Sequence, residues 1–178
     1  MQMFVVDRSP LDAAQYLCDA HIRVIGREVS MCLSAWYAMN MGHAEELPYK
    51  PFNHPVVWQI AYPYTRMWAR SYANNIFREF YIRFGHVHAS EDKFQKIVTY
   101  SLRYDQSLNP LWTPDDVYEH ARFSFIQKGH DVVPEMDIDT AVFNYRAYYH
   151  EKCSTMRVPV VWTYRTRPWW LNWRDPYA

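Results

Sequence analysis

An imidazole and a carboxylate lie seven residues apart in the segment from Cys18 to Glu28. In an α-helix this spacing is close to two turns, so His21 and Glu28 project from one stripe of the helix surface. Together with Arg27 beside the carboxylate, they form a pair that can orient a substrate and transfer a proton. A charged surface helix gives the same spacing, so both interpretations stay open.

A second group with possible chemistry follows a proline-rich loop. Asn53 and His54 precede Pro55, and proline suits the first turn of a helix. The free backbone N–H groups of a helix start favour an anion such as phosphate, which His54 can contact. Alternatively, Asn53 or His54 only caps the helix.

His86 and His88 have the spacing of a metal-binding pair, with Glu91 as the nearest carboxylate. Characteristic zinc sites have further Cys or His ligands at defined spacing, and none is present here. We therefore interpret these histidines as loop residues and predict neither a metal nor a cofactor.

Arginine and aromatic residues are frequent in this chain, of which 18% is Phe, Trp or Tyr. Arginine binds phosphate with a planar fork and stacks on rings, and aromatic side chains stack on bases, so this composition favours nucleic acid or nucleotide ligands. The alternative is an aromatic core covered by arginine stems. The predicted contacts to substrate or DNA, besides His21, Asn53 and His54, are Arg66, Arg70, Arg146, Arg165, Arg167, Trp169 and Trp170.

The formal net charge is zero, which excludes a strongly basic tail-type nucleic-acid binder. By segment, the charge is −3 over 1–49, +5 over 50–103, −6 over 104–139 and +4 over 140–178. We predict that the two basic segments surround the site of Glu28 and that the acidic segment lies elsewhere.

The fold class predicted from the sequence is all-α. A length of 178 residues fits a single domain, 1–178, and the small number of glycines favours helices joined by proline-rich loops over a β fold. An extended aromatic tail is expected after Arg157. The first predicted helix begins at Ser9-Pro10 and continues until Gly42, with a break near Cys18 or Asp19. A short helix near 55–61 and a long one from about Tyr64 to Phe84 follow. Three more are predicted: one that starts at Ser90-Glu91-Asp92 and ends at about Leu102, one that starts at Thr113-Pro114-Asp115-Asp116 and ends at about Phe125, and one that is capped by Asp139 or Thr140 and ends at about Cys153.

The cellular setting follows from two further observations. No apolar run approaches the roughly 20 residues of a membrane span, so we predict no membrane association. Cys18, Cys32 and Cys153 cannot all pair and are expected to be core residues of a cytoplasmic protein.

The order of these motifs resembles the pyrimidine dimer DNA glycosylase family of the phage endonuclease V type. The similar features are His21 followed by Arg27-Glu28, a loop-borne His54 before a long helix with arginines, and an end that contains Arg167-Pro168-Trp169-Trp170. Uncharacterised phage proteins look closer still, with the Asn53-His54-Pro55 element among the shared motifs. The resemblance covers about residues 1–85 and the last 35.

The resemblance implies a DNA glycosylase and abasic-site lyase. The N-terminal amine of Met1 is then the nucleophile that attacks the sugar C1′ atom, and Glu28 is the acid–base group. Arg27 and His21 are implied to hold phosphate or sugar, and the tail to bind DNA. An α-amine with an ordinary pKa of about 7.7 to 8.0 is partly neutral in the cytosol, as this role requires.

Two other functions remain open from the sequence. One is an enzyme that uses the same pocket for free, modified pyrimidine nucleotides, for which a low net charge suffices. The other is a non-catalytic phage module that binds nucleic acid or protein through its aromatic tail. The oligomeric state is not determined by the sequence.

Overall fold

The computed structural model describes residues 3–108, 111–125 and 132–171, apart from the side chains of Val56, Trp58 and Pro134. The chain is mainly helical, as predicted, and also has a small two-stranded sheet that was not predicted. The elements are α1 (Pro10–Tyr16), α2 (Asp19–Asn40), a 3-10 helix (Ala44–Glu46), α3 (Pro55–Trp58), α4 (Pro63–Phe84), α5 (Glu91–Tyr104), α6 (Pro114–His120), β1 (Phe123–Phe125), β2 (Val133–Met136) and α7 (Ile138–Ser154).

The helix boundaries in the first half follow local sequence signals. The Ser9 side chain accepts a hydrogen bond from the backbone N–H of Asp12, and Pro10 occupies the first turn of α1. The predicted break near Cys18 is confirmed, because Cys18 has an extended conformation and caps α2. Gly85 has a φ of 72°, a left-handed conformation that glycine adopts without strain, and it ends α4 as predicted.

Two boundaries in the second half were predicted wrongly. Helix α6 ends at His120, and Phe123–Phe125 instead forms β1, which pairs antiparallel with β2. A strand of three residues is stabilised mainly by its pairing partner, so no local pattern indicated it. Helix α7 is capped by Asp137, whose side chain accepts the N–H of Thr140 at 2.8 Å, and not by Asp139 or Thr140.

The core is centred on α4, against which α1, α2 and α6 pack. Gly26 of α2 lies so close to α4 that a Cβ atom there would be 2.9 Å from the Phe77 ring. Trp68 of α4 is buried, and its indole N–H donates to the Arg8 carbonyl at 2.7 Å. Since α4 has neighbours on several sides, it positions the helices that carry the predicted site residues.

Both ends of the described chain cover the junction of α1 and α2. The N-terminal segment, residues 3–6, is fully buried. The C-terminal segment, residues 155–171, has no helix or strand, and it crosses the body of the protein as the predicted tail does. The Asp19 N–H donates to the Val161 carbonyl at 2.8 Å, and the Trp162 indole N–H donates to the Tyr16 carbonyl at 3.0 Å.

Among the described residues, no helix combines the length and the apolar character that crossing a membrane requires.

Candidate nucleotide site

The exposed side of α2 carries the predicted acid–base group. Glu28 is half-buried, whereas Arg27 and Arg23 are exposed one helical turn apart. The Arg23 guanidinium lies over the Phe84 ring at 4.1 Å from its centroid. A partly desolvated carboxylate can exchange a proton with a substrate, and two exposed arginines on the same helix can attract an anionic one. Arg23 was missed by the sequence analysis, although its i, i+4 spacing from Arg27 was a usable signal.

His21 lies in the interior and not beside an open surface. It is 7% exposed, and its Nδ1 atom is 2.9 Å from the Tyr149 hydroxyl and 3.3 Å from the Cys18 sulfur. The Phe4 ring of the N-terminal segment packs on it with centroids 5.1 Å apart. His21 of α2 therefore contacts both the N-terminal segment and α7. A phosphate can reach the imidazole only if these contacts with Phe4 and Tyr149 open.

A pair of buried thiols adjoins His21. The hydrogen bond from the Cys153 thiol, and then that from His21, lower the pKa of the Cys18 thiol against the opposing effect of burial. The pKa of Cys153 is raised, first by its hydrogen bond to Cys18 and then by burial. All three cysteines are buried, as predicted, and burial raises the pKa of Cys32 to about 12.

The helix that follows the predicted anion-binding residues packs against α2. Helix α3 follows Asn53 and His54 directly and packs against α2. Asn53 is exposed and His54 is half-buried, and the His54 carbonyl accepts the Val57 N–H at 2.9 Å. The predicted nucleophile, Met1, lies outside the described residues.

Arg66, a predicted DNA contact, is buried and fully engaged inside the protein. Its guanidinium donates to Asp105 at 2.9 Å, to the Ala61 carbonyl at 2.6 Å and to Ser107 at 2.6 Å, and it lies 3.7 Å from the Trp36 ring centroid. Arg66 belongs to a basic segment and Asp105 to the acidic one, so these segments meet in the interior at this point and are not separated.

Two more predicted contacts are ion-paired with carboxylates. Arg165 of the C-terminal segment donates to both oxygens of Glu79, which also accepts from Arg83 at 3.2 Å. Arg146 donates to Asp7 at 2.9 Å and to the Val6 carbonyl at 2.8 Å. These guanidinium groups therefore hold the two ends of the described chain against the core.

The remaining predicted contacts lie in the C-terminal segment and on α4. Trp169 is 76% exposed, whereas Trp170 is half-buried and packs edge-on against Tyr16 at 5.8 Å. Arg167 is exposed and donates to the Leu171 carbonyl at 2.9 Å. Arg70 is half-buried in a cleft on the other side of α4.

The two histidines with metal-like spacing are hydrogen-bonded within the protein. His88 contacts the Arg23 carbonyl through Nε2 at 3.1 Å and accepts the Ser90 N–H at 3.0 Å through Nδ1. His86 contacts the Phe84 carbonyl at 2.9 Å. Over the described ranges, the one group of at least three potential ligands with metal-like proximity is His43, Glu45 and Glu46, all of them exposed.

No family model matches the chain, and neither a curated protein nor a solved structure matches it.

Proposed function

We propose that the protein acts at the glycosidic bond of a damaged or modified pyrimidine nucleotide in DNA, with Glu28 as the acid–base group. One observation carries the proposal. The N-terminal segment packs on His21 through Phe4, and α3, which follows Asn53 and His54, packs against α2, the helix that also carries Glu28. An enzyme with an N-terminal amine nucleophile and a helical acid–base group needs its N-terminal segment to pack on the helix that carries this group.

In the proposed reaction, the amine of Met1 attacks C1′ and the bond from C1′ to the base breaks. The base leaves with the bonding electrons and takes up a proton. Loss of a proton from the nitrogen and opening of the sugar ring then give a Schiff base. Glu28 is suited to move these protons because it is only half-buried, and the exposed Arg23 and Arg27 of the same helix are proposed to hold the flanking phosphate. The enzyme is proposed to work as a single helical domain in the cytoplasm.

The test is a glycosylase and lyase assay on duplexes that contain pyrimidine dimers, abasic sites or modified pyrimidines. Borohydride reduction traps a Schiff base as a covalent adduct of protein and DNA. We expect adducts with the wild type and a loss of at least 100-fold in rate with Glu28→Gln, since general acid–base groups contribute about 10² to 10⁴. Glu91→Gln on α5 is the matched control. Full activity of Glu28→Gln, or inactivity of the wild type on every substrate, contradicts the proposal.

A second candidate function uses the same site for free pyrimidine nucleotides. The observation in its favour is that Arg66, Arg146 and Arg165 are paired with carboxylates, so they contribute little to a track for a DNA backbone. Binding to long duplex DNA separates the two functions. A steep fall of affinity with salt indicates several phosphate contacts, and a flat dependence favours the mononucleotide.

A further inference from the structure

A cleft of about 490 Å³ lies between α4, α5 and α6, with Pro10 of α1 at its edge. Sites for small molecules in proteins typically have about 300 to 1,000 Å³ and mostly apolar walls. Large apolar side chains form the walls here, among them Met67, Trp68, Phe94, Val98, Leu102 and Trp112. Leu102 is 70% exposed, so part of this apolar wall is open to solvent.

Among the described residues that line the cleft, one is charged, and this residue is Arg70. It is half-buried, and its hydrogen bond is to the Ser101 hydroxyl at 3.3 Å. Arg66, Arg83, Arg146 and Arg165, which are buried or half-buried too, each contact a carboxylate. Within the part of the chain that the structure describes, Arg70 has no carboxylate partner.

A half-buried cation beside apolar walls is incompletely solvated and attracts an anion from outside. One wall also contains a flat aromatic surface, because Trp112 stacks on Tyr64 with ring centroids 4.1 Å apart and planes at 22°. Asn74 and Gln95 add amide groups that can hydrogen-bond polar atoms of a ligand.

We infer that this cleft binds a flat organic anion whose carboxylate, sulfonate or phosphate contacts Arg70 and whose aromatic body lies against the apolar walls. The residues described around the cleft come from α1, α4, α5, α6 and the turn before α6, and α2 with Glu28 contributes none of them. The cleft is therefore a second site, and its ligand does not depend on the proposed glycosidic chemistry.

Isothermal titration calorimetry with naphthalene-2-sulfonate tests this inference, with 2-naphthol as an uncharged counterpart of similar shape. We expect one sulfonate to bind per protein, and Arg70→Gln to weaken its binding about tenfold or more, since hydrogen bonds to charged groups contribute about 1.5 to 3 kcal/mol. 2-Naphthol should bind the wild type and Arg70→Gln equally. The control is Arg78→Gln, an exposed arginine on the same helix, which should leave both affinities unchanged.

A second variant locates the binding site independently of charge. Val98→Trp fills the cleft and should abolish binding of both compounds, while circular dichroism verifies that each variant keeps its helical content. The inference is overturned if the sulfonate does not bind the wild type, if Arg70→Gln and Arg78→Gln have equal effects, or if Val98→Trp binds as the wild type does.

Discussion

Arg165 places its guanidinium against both carboxylate oxygens of Glu79, with Nε 3.0 Å from Oε2 and Nη2 2.5 Å from Oε1. Glu79 is 1% exposed in the middle of α4, and Arg83 contacts it from the next turn. One carboxylate thus connects the C-terminal segment to the central helix. Because this carboxylate is buried, the ion pair differs from a solvent-exposed pair on the surface.

Replacing Glu79 should strongly destabilise the fold. Glu79→Gln leaves Arg83 and Arg165 without their shared anion, and breaking a buried ion pair costs about 3 to 5 kcal/mol. Urea denaturation measures this change in the free energy of unfolding. Glu119→Gln is the control, since the Glu119 side chain is 76% exposed and its loss should change stability by less than about 0.5 kcal/mol. Equal stabilities of the two variants would disprove this role of Glu79.

Gly26 is expected to tolerate no side chain. In Gly26→Ala the new methyl group meets Phe77 at 2.9 Å and Ile76 at 3.1 Å, so α2 and α4 must move apart. Overpacking of this kind costs about 1 to 3 kcal/mol, of which the better helix propensity of alanine offsets up to about 1 kcal/mol. The midpoint of thermal unfolding should fall. It should stay nearly constant in Val24→Ala, an exposed position on the same helix.

The cap of α7 should make part of the stability depend on pH. The Thr140 N–H, which donates to Asp137, lowers the pKa of this carboxyl below its ordinary value of 3.8. The stabilisation is therefore present at neutral pH and is lost as the pH falls through the lowered pKa. Asp137→Asn still caps the helix but does not titrate. The difference in unfolding free energy between wild type and Asp137→Asn should shift in favour of the variant between pH 6 and pH 2, and a difference independent of pH would refute the assignment.

Substitutions of two tryptophans in the C-terminal segment should change the stability of the protein by different amounts. Trp162 is half-buried and donates to the Tyr16 carbonyl, so Trp162→Ala should destabilise the protein by about 3 kcal/mol. Trp169→Ala should change stability by less than about 0.5 kcal/mol, since Trp169 is 76% exposed. Chemical denaturation of both variants decides whether the segment belongs to the folded body. If both variants are as stable as the wild type, the segment is not part of it.

The sequence predicted the helices whose ends have local signals. Ser9-Pro10 determines the start of α1, and Gly85 determines the end of α4. The strands were missed because β1 is stabilised by pairing with β2, and the three residues of Phe123–Phe125 are too few to show an alternation of apolar and polar side chains.

Side-chain partners were less predictable than helices. The sequence indicated that Arg66 and Arg165 are cations on suitable elements, but it did not reveal that Asp105 and Glu79 neutralise them. Such pairs join residues far apart in the chain, and they depend on how the helices pack. For the same reason, the spacing of His21 and Glu28 predicted a common helix but not that Phe4 and Tyr149 enclose the imidazole.

The bond from the Asp19 N–H to the Val161 carbonyl has a consequence for the order of folding during synthesis. The ribosome makes α1 and α2 first, but the residues that cover their junction emerge only after α7. Until then the start of α2, including His21, lacks Tyr149 and Trp162 as neighbours and exposes apolar surface. The nascent chain is therefore expected to remain open to chaperones and proteases at this junction until residue 162 has left the ribosome.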